Sequence, residues 1–310
     1  MTFIGLMIEG QWGLTWERWR RLIEAADTMG YQCVFRSDHY TIGPPDDDSL
    51  ETFISLTYAA DHTKHIEFGP LVAPTTFRHP ALTARMASQI DDLSGGRMVL
   101  GLGTGWHERE HKQFGIPFYD QLARYEMLED ALEITTRLYH ADEPVNYGGT
   151  HYSLDGAVLL PRPSRAGGPP ILIGGNGPKR TLPLAAKYAD EWNGVHINVN
   201  MFKERGALLD ELLEKNGRDK AAVKRSVMLP CIIGKDDADL RTRSGGEMAP
   251  SDSLLERKKI IGTPSQIVEH ISKYQEAGAY RLILMWQDQE DLAGIELLAK
   301  EVLPHFHQLR

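Results

Sequence analysis

Residues 170–181 read PILIGGNGPKRT, and this stretch contains one complete transition from a strand to a helix. The apolar residues 171–173 are typical of a strand that is buried on both faces. Glycines at the end of a strand allow a tight turn, and Pro178 suits the first turn of a helix, which we predict over residues 179–188. The same transition recurs along the chain, and its repetition decides the fold.

Short apolar runs alternate with longer amphipathic segments along the whole chain. Strands are predicted at residues 2–8, 33–35, 66–74, 98–102, 171–173, 191–197, 223–233 and 280–285. Helices are predicted at residues 15–29, 50–62, 80–93, 122–140, 179–188, 201–216, 264–277 and 295–306. Eight strand–helix units in series predict an α/β fold, a closed (β/α)8 TIM barrel, formed by residues 1–310 as a single domain.

Two segments interrupt the alternation. Residues 145–170 predict a β-hairpin inserted before the fifth strand, and the polar residues 235–253 predict a mobile loop. The main rival architecture is a dinucleotide-binding fold, which requires Gly-x-Gly-x-x-Gly in the first strand-to-helix turn. Residues 10–13 read GQWG and do not supply that pattern, so the barrel is favoured.

Composition narrows the class of protein. The formal net charge is −9 and no basic run stands out, which argues against a nucleic-acid partner. The chain begins without a basic segment and has no apolar run of membrane-spanning length, so we expect a cytoplasmic protein without a membrane partner. Cys33 and Cys231 lie in apolar strand-like runs, so we expect buried thiols and no disulfide.

Ser37, Asp38 and His39 directly follow the second predicted strand. Because ligands bind at the carboxyl ends of the strands in a parallel barrel, these side chains are placed to contact a bound molecule. The unperturbed pKa of histidine, about 6.5, lets His39 donate or accept a proton near neutral pH. The alternative is a histidine that only hydrogen-bonds its own loop.

Gly174, Gly175, Asn176 and Gly177 form the clearest ligand-binding pattern. Glycines permit close approach of the backbone, and exposed amides at the start of a helix suit a phosphate group. A tight turn without any ligand is the alternative. The glycines of residues 101–105 are a weaker signal, because such a dense run can simply let the backbone turn.

Residues 107–111 read HEREH and match the His-Glu-x-x-His zinc pattern. The context does not suit a metal, because Gly-Ile-Pro at residues 115–117 ends the helix within about a turn. Both variable positions are also charged, whereas a buried zinc helix favours apolar residues there. We therefore predict no metal site.

Short motifs spread over nearly the whole chain carry a family resemblance. They are RSDHY (36–40), FRHP (77–80), GLGTGW (101–106), FGIPF (114–118), PILIGGNG (170–177), ADEWN (189–193) and IGTP (261–264). In this order and spacing they resemble the luciferase-like oxidoreductase superfamily, and within it the branch that uses the deazaflavin coenzyme F420.

The resemblance implies a TIM barrel with the coenzyme ring in its mouth. It implies a non-proline cis peptide within residues 71–73, and catalytic roles for His39, as proton donor or acceptor, and for Asp38, which orients the site. The cofactor-binding residues that it implies are Ser37, Asp38, Leu71, Val72, Ala73, Thr75, Gly103, Thr104, Gly105, Gly174, Gly175, Asn176, Gly177 and Thr181.

The sequence departs from the family at one position. Relatives that oxidise sugar phosphates or alcohols tend to carry a glutamate straight after Gly-Thr-Gly, where this chain has Trp106. Their substrates and their glutamate therefore do not carry over. We expect Trp106, together with Trp12 in the loop after the first strand, to line the substrate pocket.

The predicted function is hydride transfer between coenzyme F420 and a small organic substrate. The runner-up is a monooxygenase that uses reduced FMN and oxygen, since the same barrel and phosphate turn serve both coenzymes. A flavin-binding protein without turnover and a zinc hydrolase are more distant alternatives. Family analogy also suggests a homodimer.

Overall fold

The computed structural model describes residues 2–246 and 253–307. Its strands are β1 (Phe3–Ile8), β2 (Cys33–Arg36), β3 (Glu67–Pro70), β4 (Ala73–Pro74), β5 (Leu100–Gly103), β6 (Val145–Gly148), β7 (Ser153–Ala157), β8 (Ile171–Gly174), β9 (Glu191–Val195), β10 (Lys224–Ile233), β11 (Ile260–Gly262) and β12 (Arg281–Trp286). Its α-helices are α1 (Trp16–Thr28), α2 (Thr52–His62), α3 (Pro80–Leu93), α4 (Glu108–Gln113), α5 (Gln121–His140), α6 (Thr181–Tyr188), α7 (Val199–Lys215), α8 (Asp237–Arg243), α9 (Pro264–Glu276) and α10 (Leu292–Glu301).

The main sheet closes on itself as a parallel barrel. Its strand order is β3-β2-β1-β12-β10-β9-β8-β5-β4, and β11 pairs with the end of β10. β3 and β4 are two halves of one barrel strand, separated by a cis peptide between Leu71 and Val72. Phe68 in β3 bridges to Met98, and β4 pairs with β5, so the strand order returns to its start. The predicted (β/α)8 barrel is confirmed, and the cis peptide lies within the expected three residues.

The glycines of β5 and β8 make room for the split third strand. A Cβ atom on Gly103 would overlap Cγ2 of Val72, and one on Gly101 would overlap the carbonyl oxygen of Pro70. A Cβ atom on Gly174 would lie 3.0 Å from Cγ1 of Val72. The glycine run at 101–105 therefore permits a close approach between neighbouring strands, in addition to any turn at its end.

The hairpin insertion is present as β6 and β7, an antiparallel pair that precedes β8. The prediction of a loop over residues 235–253 is wrong in part, because α8 lies there; residues 247–252 lie outside the described ranges. α8 is polar, with Leu240 as its buried residue, so it shows no apolar periodicity. Asp236 caps its start, and Arg243 pairs with Asp239 at 2.9 Å.

Arg281 closes the lower end of the barrel, which we define as the end where the parallel strands begin. Its guanidinium lies 2.8 Å from Oε2 of Glu191 and 2.9 Å from Oε2 of Glu67, and it sits over the ring of Phe35. Both Arg281 and Glu191 are buried. A cavity along the barrel axis can therefore open only at the upper end, where the strands finish.

Both cysteines are buried free thiols, as predicted. Burial raises the pKa of Cys33 to about 11 and that of Cys231 to about 12, so neither is a reactive thiolate near neutral pH. Within the described ranges, no helix is both long enough and apolar enough to cross a membrane.

Candidate active site

A cavity of about 550 Å³ opens at the upper end of the barrel. It brings together most of the residues that the sequence marks for a site. Those that line it are Trp12, Ser37, His39, Leu71, Val72, Gly103, Thr104, Gly105, Trp106, Gly174, Gly175, Asn176, Gly177 and Thr181. His39, at the end of the second strand, thus shares one cavity with residues 174–177, which we call the glycine turn.

Asp38 does not line the cavity. Its buried carboxylate faces Arg78, with Oδ2 and Oδ1 lying 2.5 and 3.1 Å from the two terminal guanidinium nitrogens. Successive residues of an extended chain point to opposite sides, so Ser37 and His39 face the cavity while Asp38 faces away from it. The ion pair with Arg78 supports the second strand end, and the roles expected of Asp38 stay predictions.

Ala73 and Thr75 lie behind the cavity wall rather than on it. Ala73 pairs with Leu102 in the sheet, and both the amide and the hydroxyl of Thr75 donate to the carbonyl oxygen of Gly103, at 2.9 and 3.3 Å. These contacts hold β4 against β5. Both residues thus support the cavity wall, and the cofactor-binding role expected of them stays a prediction.

Glu110 is a site residue that sequence reasoning missed. Its Oε1 lies 2.8 Å from Nδ1 of His39, and its Oε2 accepts a hydrogen bond of 2.9 Å from the amide of Tyr40. Glu110 is only 1% exposed, so α4 holds this carboxylate in one position. Because a carboxylate accepts, Nδ1 of His39 donates; Nε2 makes no hydrogen bond to a described residue. The imidazole is thus held at one nitrogen and free at the other.

Burial and Glu110 act on His39 in opposite directions. Burial alone lowers the pKa of the imidazole, while the hydrogen bond and charge of Glu110, with smaller effects of Glu9 and Asp38, raise it. The net result is a pKa raised from the ordinary value of 6.5. His39 therefore stays protonated to a higher pH than an exposed histidine.

The His-Glu-x-x-His pattern has a different use in the folded chain. His111 is buried, with Nδ1 at 2.8 Å from the carbonyl oxygen of His107 and Nε2 at 2.8 Å from Oγ1 of Thr76. The exposed Glu108 pairs with Lys112. Within the described residues, no group of three or more His, Cys, Asp or Glu side chains is arranged to hold a metal ion.

The glycine turn is fastened from two sides. The amide of Gly175, at φ +123°, donates to the carbonyl oxygen of Asn193, and the side chain of Asn176 bonds the amide and carbonyl of Val195 at 2.9 and 2.7 Å. Gly177 lacks the Cβ that would crowd the hydroxyl of Thr181 at 2.9 Å. α6 begins at Thr181, after three intervening residues and two residues later than predicted. The result is a fixed, open backbone at a helix start, which suits a phosphate.

A surface groove adjoins the glycine turn and carries excess positive charge. It shares Tyr125 with the cavity, and we call it the basic groove. Its charged lining residues are Lys179, Arg180, Lys187, Lys215, Glu126 and Glu129. Lys187 pairs with Glu129 at 3.4 Å. Four cations thus face two carboxylates beside a candidate phosphate site.

On the side of the cavity next to β1, three side chains are linked by hydrogen bonds that the sequence did not predict. The hydroxyl of Ser37 accepts from the amide of Gly10 at 2.8 Å and donates to Oε1 of Gln11 at 2.6 Å. Nε2 of Gln11 then donates to Oε2 of Glu9 at 2.7 Å. His196 also lines the cavity, with the left-handed φ of 49° that is uncommon for a residue other than glycine.

Residues 5–250 match the model of the luciferase-like monooxygenase family. The chain belongs to this family. Among its relatives, 4-hydroxyprotoasukamycin monooxygenase of Streptomyces nodosus subsp. asukaensis is 25% identical, over 95% of this chain and 88% of that protein. F420-dependent glucose-6-phosphate dehydrogenase of Microbacterium testaceum is 27% identical, over 91% of each chain.

Among solved structures, an F420-dependent secondary alcohol dehydrogenase in complex with an F420-acetone adduct has the same fold, with a TM-score of 0.84. The two sequences are 19% identical, and the match covers 99% of each chain. The family and the named relatives are oxidoreductases, and this chain is therefore an oxidoreductase enzyme.

Proposed function

We propose that this enzyme transfers a hydride between coenzyme F420 and a small organic substrate, with His39 as the proton donor or acceptor. The observation that carries the proposal is that His39, held by Glu110, lines the same cavity as the glycine turn. An acid–base group and a phosphate site at one barrel mouth are what a phosphate-bearing redox coenzyme requires.

The cavity lining fits such a coenzyme. The backbone of the glycine turn and the hydroxyl of Thr181 would hold its phosphate, while Leu71 and Val72 provide an apolar surface for one face of its ring. When bound, the coenzyme would supply or accept the hydride. The chain's own contribution is to orient the two reactants and to move one proton at Nε2 of His39.

The basic groove favours F420 over FMN. FMN ends at its phosphate, whereas F420 continues beyond the phosphate into a chain that carries several carboxylates. Lys179 and Arg180, which line the groove next to the glycine turn, lie where such a chain would leave the phosphate site. Opposite charges at this place would strengthen binding of F420 and add little to that of FMN.

Titration of the purified protein with each coenzyme tests the proposal, with coenzyme fluorescence as the readout. We expect micromolar binding of F420 and weaker binding of FMN. Micromolar binding of FMN without binding of F420 would contradict it. Substrates can then be screened by following the visible absorbance of the coenzyme as it is reduced or reoxidised.

A monooxygenase that uses reduced FMN is the second candidate. Trp106 occupies the place where sugar-phosphate and alcohol dehydrogenases of the family tend to carry a glutamate, and a monooxygenase is among the relatives that align along nearly the whole chain. Substrate-dependent oxygen uptake with reduced FMN, and none with F420, would favour this candidate.

The cytoplasmic location and the homodimer stay predictions. Large apolar side chains that are more than half exposed lie on neighbouring helices, Ile54 on α2 and Leu82 on α3, and would suit a subunit interface. Light scattering of the purified protein would separate a dimer from a monomer.

A further inference from the structure

The permanently charged side chain that lines the cavity is a carboxylate, that of Glu9. Among the described residues that line it, Glu9 is the carboxylate, His39 and His196 are the imidazoles, and there is no lysine or arginine. Lys179 and Arg180 lie in the basic groove. Arg205 and Arg124 donate to the backbone carbonyl oxygens of Asn176 and Gly105 but do not line the cavity. A negatively charged substrate group inside the cavity would therefore meet a carboxylate and find no permanent cation.

Hydrogen bonds hold Glu9 in place, but they engage only one of its two carboxylate oxygens. It follows the end of β1 and is 8% exposed, with Oε2 accepting 2.7 Å from Nε2 of Gln11. Gln11 is itself buried and fixed by Ser37, and the backbone carbonyl of Glu9 accepts from Gln289 at 2.8 Å. Oε1 accepts no hydrogen bond from a described residue. Glu9 lines the cavity, and Oε1 is its oxygen without a hydrogen bond to the described part of the chain.

Glu9 lies close enough to both imidazoles to act on them. Its negative charge is among the influences that raise the pKa of His39, and it opposes the burial that lowers the pKa of His196. The carboxylate and the proposed proton donor therefore face the same space. A substrate placed for reaction at His39 would lie within the field of Glu9.

The remaining walls at the mouth are apolar. Trp12, Ile42 and Met285 line the cavity together with Trp106, which is 64% exposed and meets the ring of His39 edge-on at 5.6 Å. Such a surface suits a hydrophobic molecule, and an exposed tryptophan at a cavity mouth gains from being covered.

Resting on the proposed function, we propose that the substrate is an uncharged, largely apolar molecule whose hydroxyl or amide N–H donates a hydrogen bond to Oε1 of Glu9. Glu9 is then the residue that disfavours a phosphate or a carboxylate on the substrate, while the coenzyme phosphate would lie at the glycine turn. An anionic group brought beside it would lose its water and face a like charge, and no lysine or arginine lines the cavity to offset either effect. A neutral donor would instead complete the hydrogen bonding of the carboxylate.

The test compares two probes of one shape, benzyl alcohol and benzoate, by quenching of tryptophan fluorescence in the protein alone and in the protein loaded with F420. We expect benzyl alcohol to bind at least tenfold more tightly, which corresponds to about 1.4 kcal/mol. In Glu9→Gln the preference should fall to within about threefold, since the amide keeps the shape and loses the charge. Glu17→Gln, an exposed change in the first turn of α1, is the matched control and should keep the wild-type ratio.

Equal or tighter binding of benzoate to the wild type would overturn the inference, as would an unchanged ratio in Glu9→Gln or failure of benzyl alcohol to bind. If Glu9→Gln does not fold, the wild-type ratio decides the matter alone. Binding of F420 is measured on the same samples. A protein that does not bind F420 would refute the proposed function, while the charge preference in the free protein would stand or fall separately.

Discussion

The two ends of the barrel both bury a charged group, but they use it differently. At the lower end, Arg281 contacts Glu191 and Glu67 and is packed over Phe35. At the upper end, Glu110 binds one nitrogen of His39, and the other nitrogen makes no hydrogen bond to a described residue. The lower cluster pairs its charges with one another, although Oε1 of Glu191 and Nε of Arg281 have no hydrogen-bond partner among the described residues. The upper pair instead borders the cavity, because His39 lines it.

This difference follows from what covers each end. Large side chains from the strand starts fill the lower end, so an unpaired charge there would remain in an apolar interior. At the upper end, Gly103 and Gly174 line the cavity without a side chain, and the space that a Cβ atom would need is taken by Val72 of the split third strand. The buried charge at the lower end is therefore enclosed by the protein, whereas the charge at the upper end borders the cavity.

Replacing His39 with alanine gives the largest effect that we expect. Loss of the acid–base group should lower kcat by about 10²- to 10⁴-fold, with the affinity for F420 changed by less than about threefold. Stopped-flow reduction of the coenzyme measures the first quantity, and fluorescence titration measures the second. His62→Ala, an exposed change on α2, is the control and should leave both near wild type. An active His39→Ala enzyme would mean that the open position at the upper end is not used for proton transfer.

Arg281→Met at the lower end should instead affect stability. Removal of the guanidinium leaves Glu191 buried without a partner, which costs about 3 to 5 kcal/mol of the free energy of unfolding. Urea denaturation measures this loss, and the activity per folded molecule should stay close to that of the wild type. Arg137→Met breaks an exposed pair with Glu133 and should cost less than about 1 kcal/mol. Equal losses of the free energy of unfolding in Arg281→Met and Arg137→Met would mean that the buried pair at the lower end matters no more than an exposed one.

The sequence could predict the meeting of His39 and the glycine turn, because parallel strands finish at the same end of a barrel. It could not show which way Asp38 points, since one residue of register decides whether a side chain faces the cavity or the surrounding helices. His39 and Asp38 are neighbours in sequence, yet one lines the cavity and the other pairs with Arg78.

Glu110 was missed for a different reason. It lies on a six-residue helix that carries no strand or long-helix signal, and its contact with His39 spans 71 positions of the chain. The only local signal is the HEREH stretch, whose zinc-like pattern consists of its two histidines and Glu108 and does not include Glu110. Polar contacts between separate loops depend on the assembled barrel, so local patterns do not contain them. The same holds for Glu9 and Gln11.

Glu110→Gln should lower the pKa of His39 and reduce kcat, by less than the loss of His39 itself. Without the carboxylate, burial would dominate and the pKa of His39 should fall below its ordinary value of 6.5. The limb of the pH–rate profile that reports His39 should therefore move to lower pH, with kcat reduced about 10- to 100-fold. Glu108→Gln on the same helix is the control and should leave the profile in place.

The contact between His39 and Glu110 also predicts how the free energy of unfolding depends on pH. The pKa of His39 is raised on folding, so the stabilisation is fully present below the unfolded value of about 6.5 and is lost as the pH rises through the folded-state value. Wild type should therefore exceed Glu110→Gln in stability by more at pH 6 than at pH 9. A constant difference would mean that His39 does not change its charge over this range.

The smallest effect that we expect is on the affinity for F420, when the two adjacent cations Lys179 and Arg180 are removed from the basic groove. Lys179→Ser/Arg180→Ser should weaken binding of F420 by roughly three- to tenfold and that of FMN by less, because exposed ion pairs each contribute about 0.2 to 1 kcal/mol. The matched double variant Lys220→Ser/Lys224→Ser removes two exposed cations near the lower end and should leave both affinities unchanged. Because these contacts are exposed, the loss should shrink as salt is added. If FMN and F420 weaken equally, the groove acts on the shared phosphate alone, and the upper end holds no site for the charged chain that distinguishes the two coenzymes.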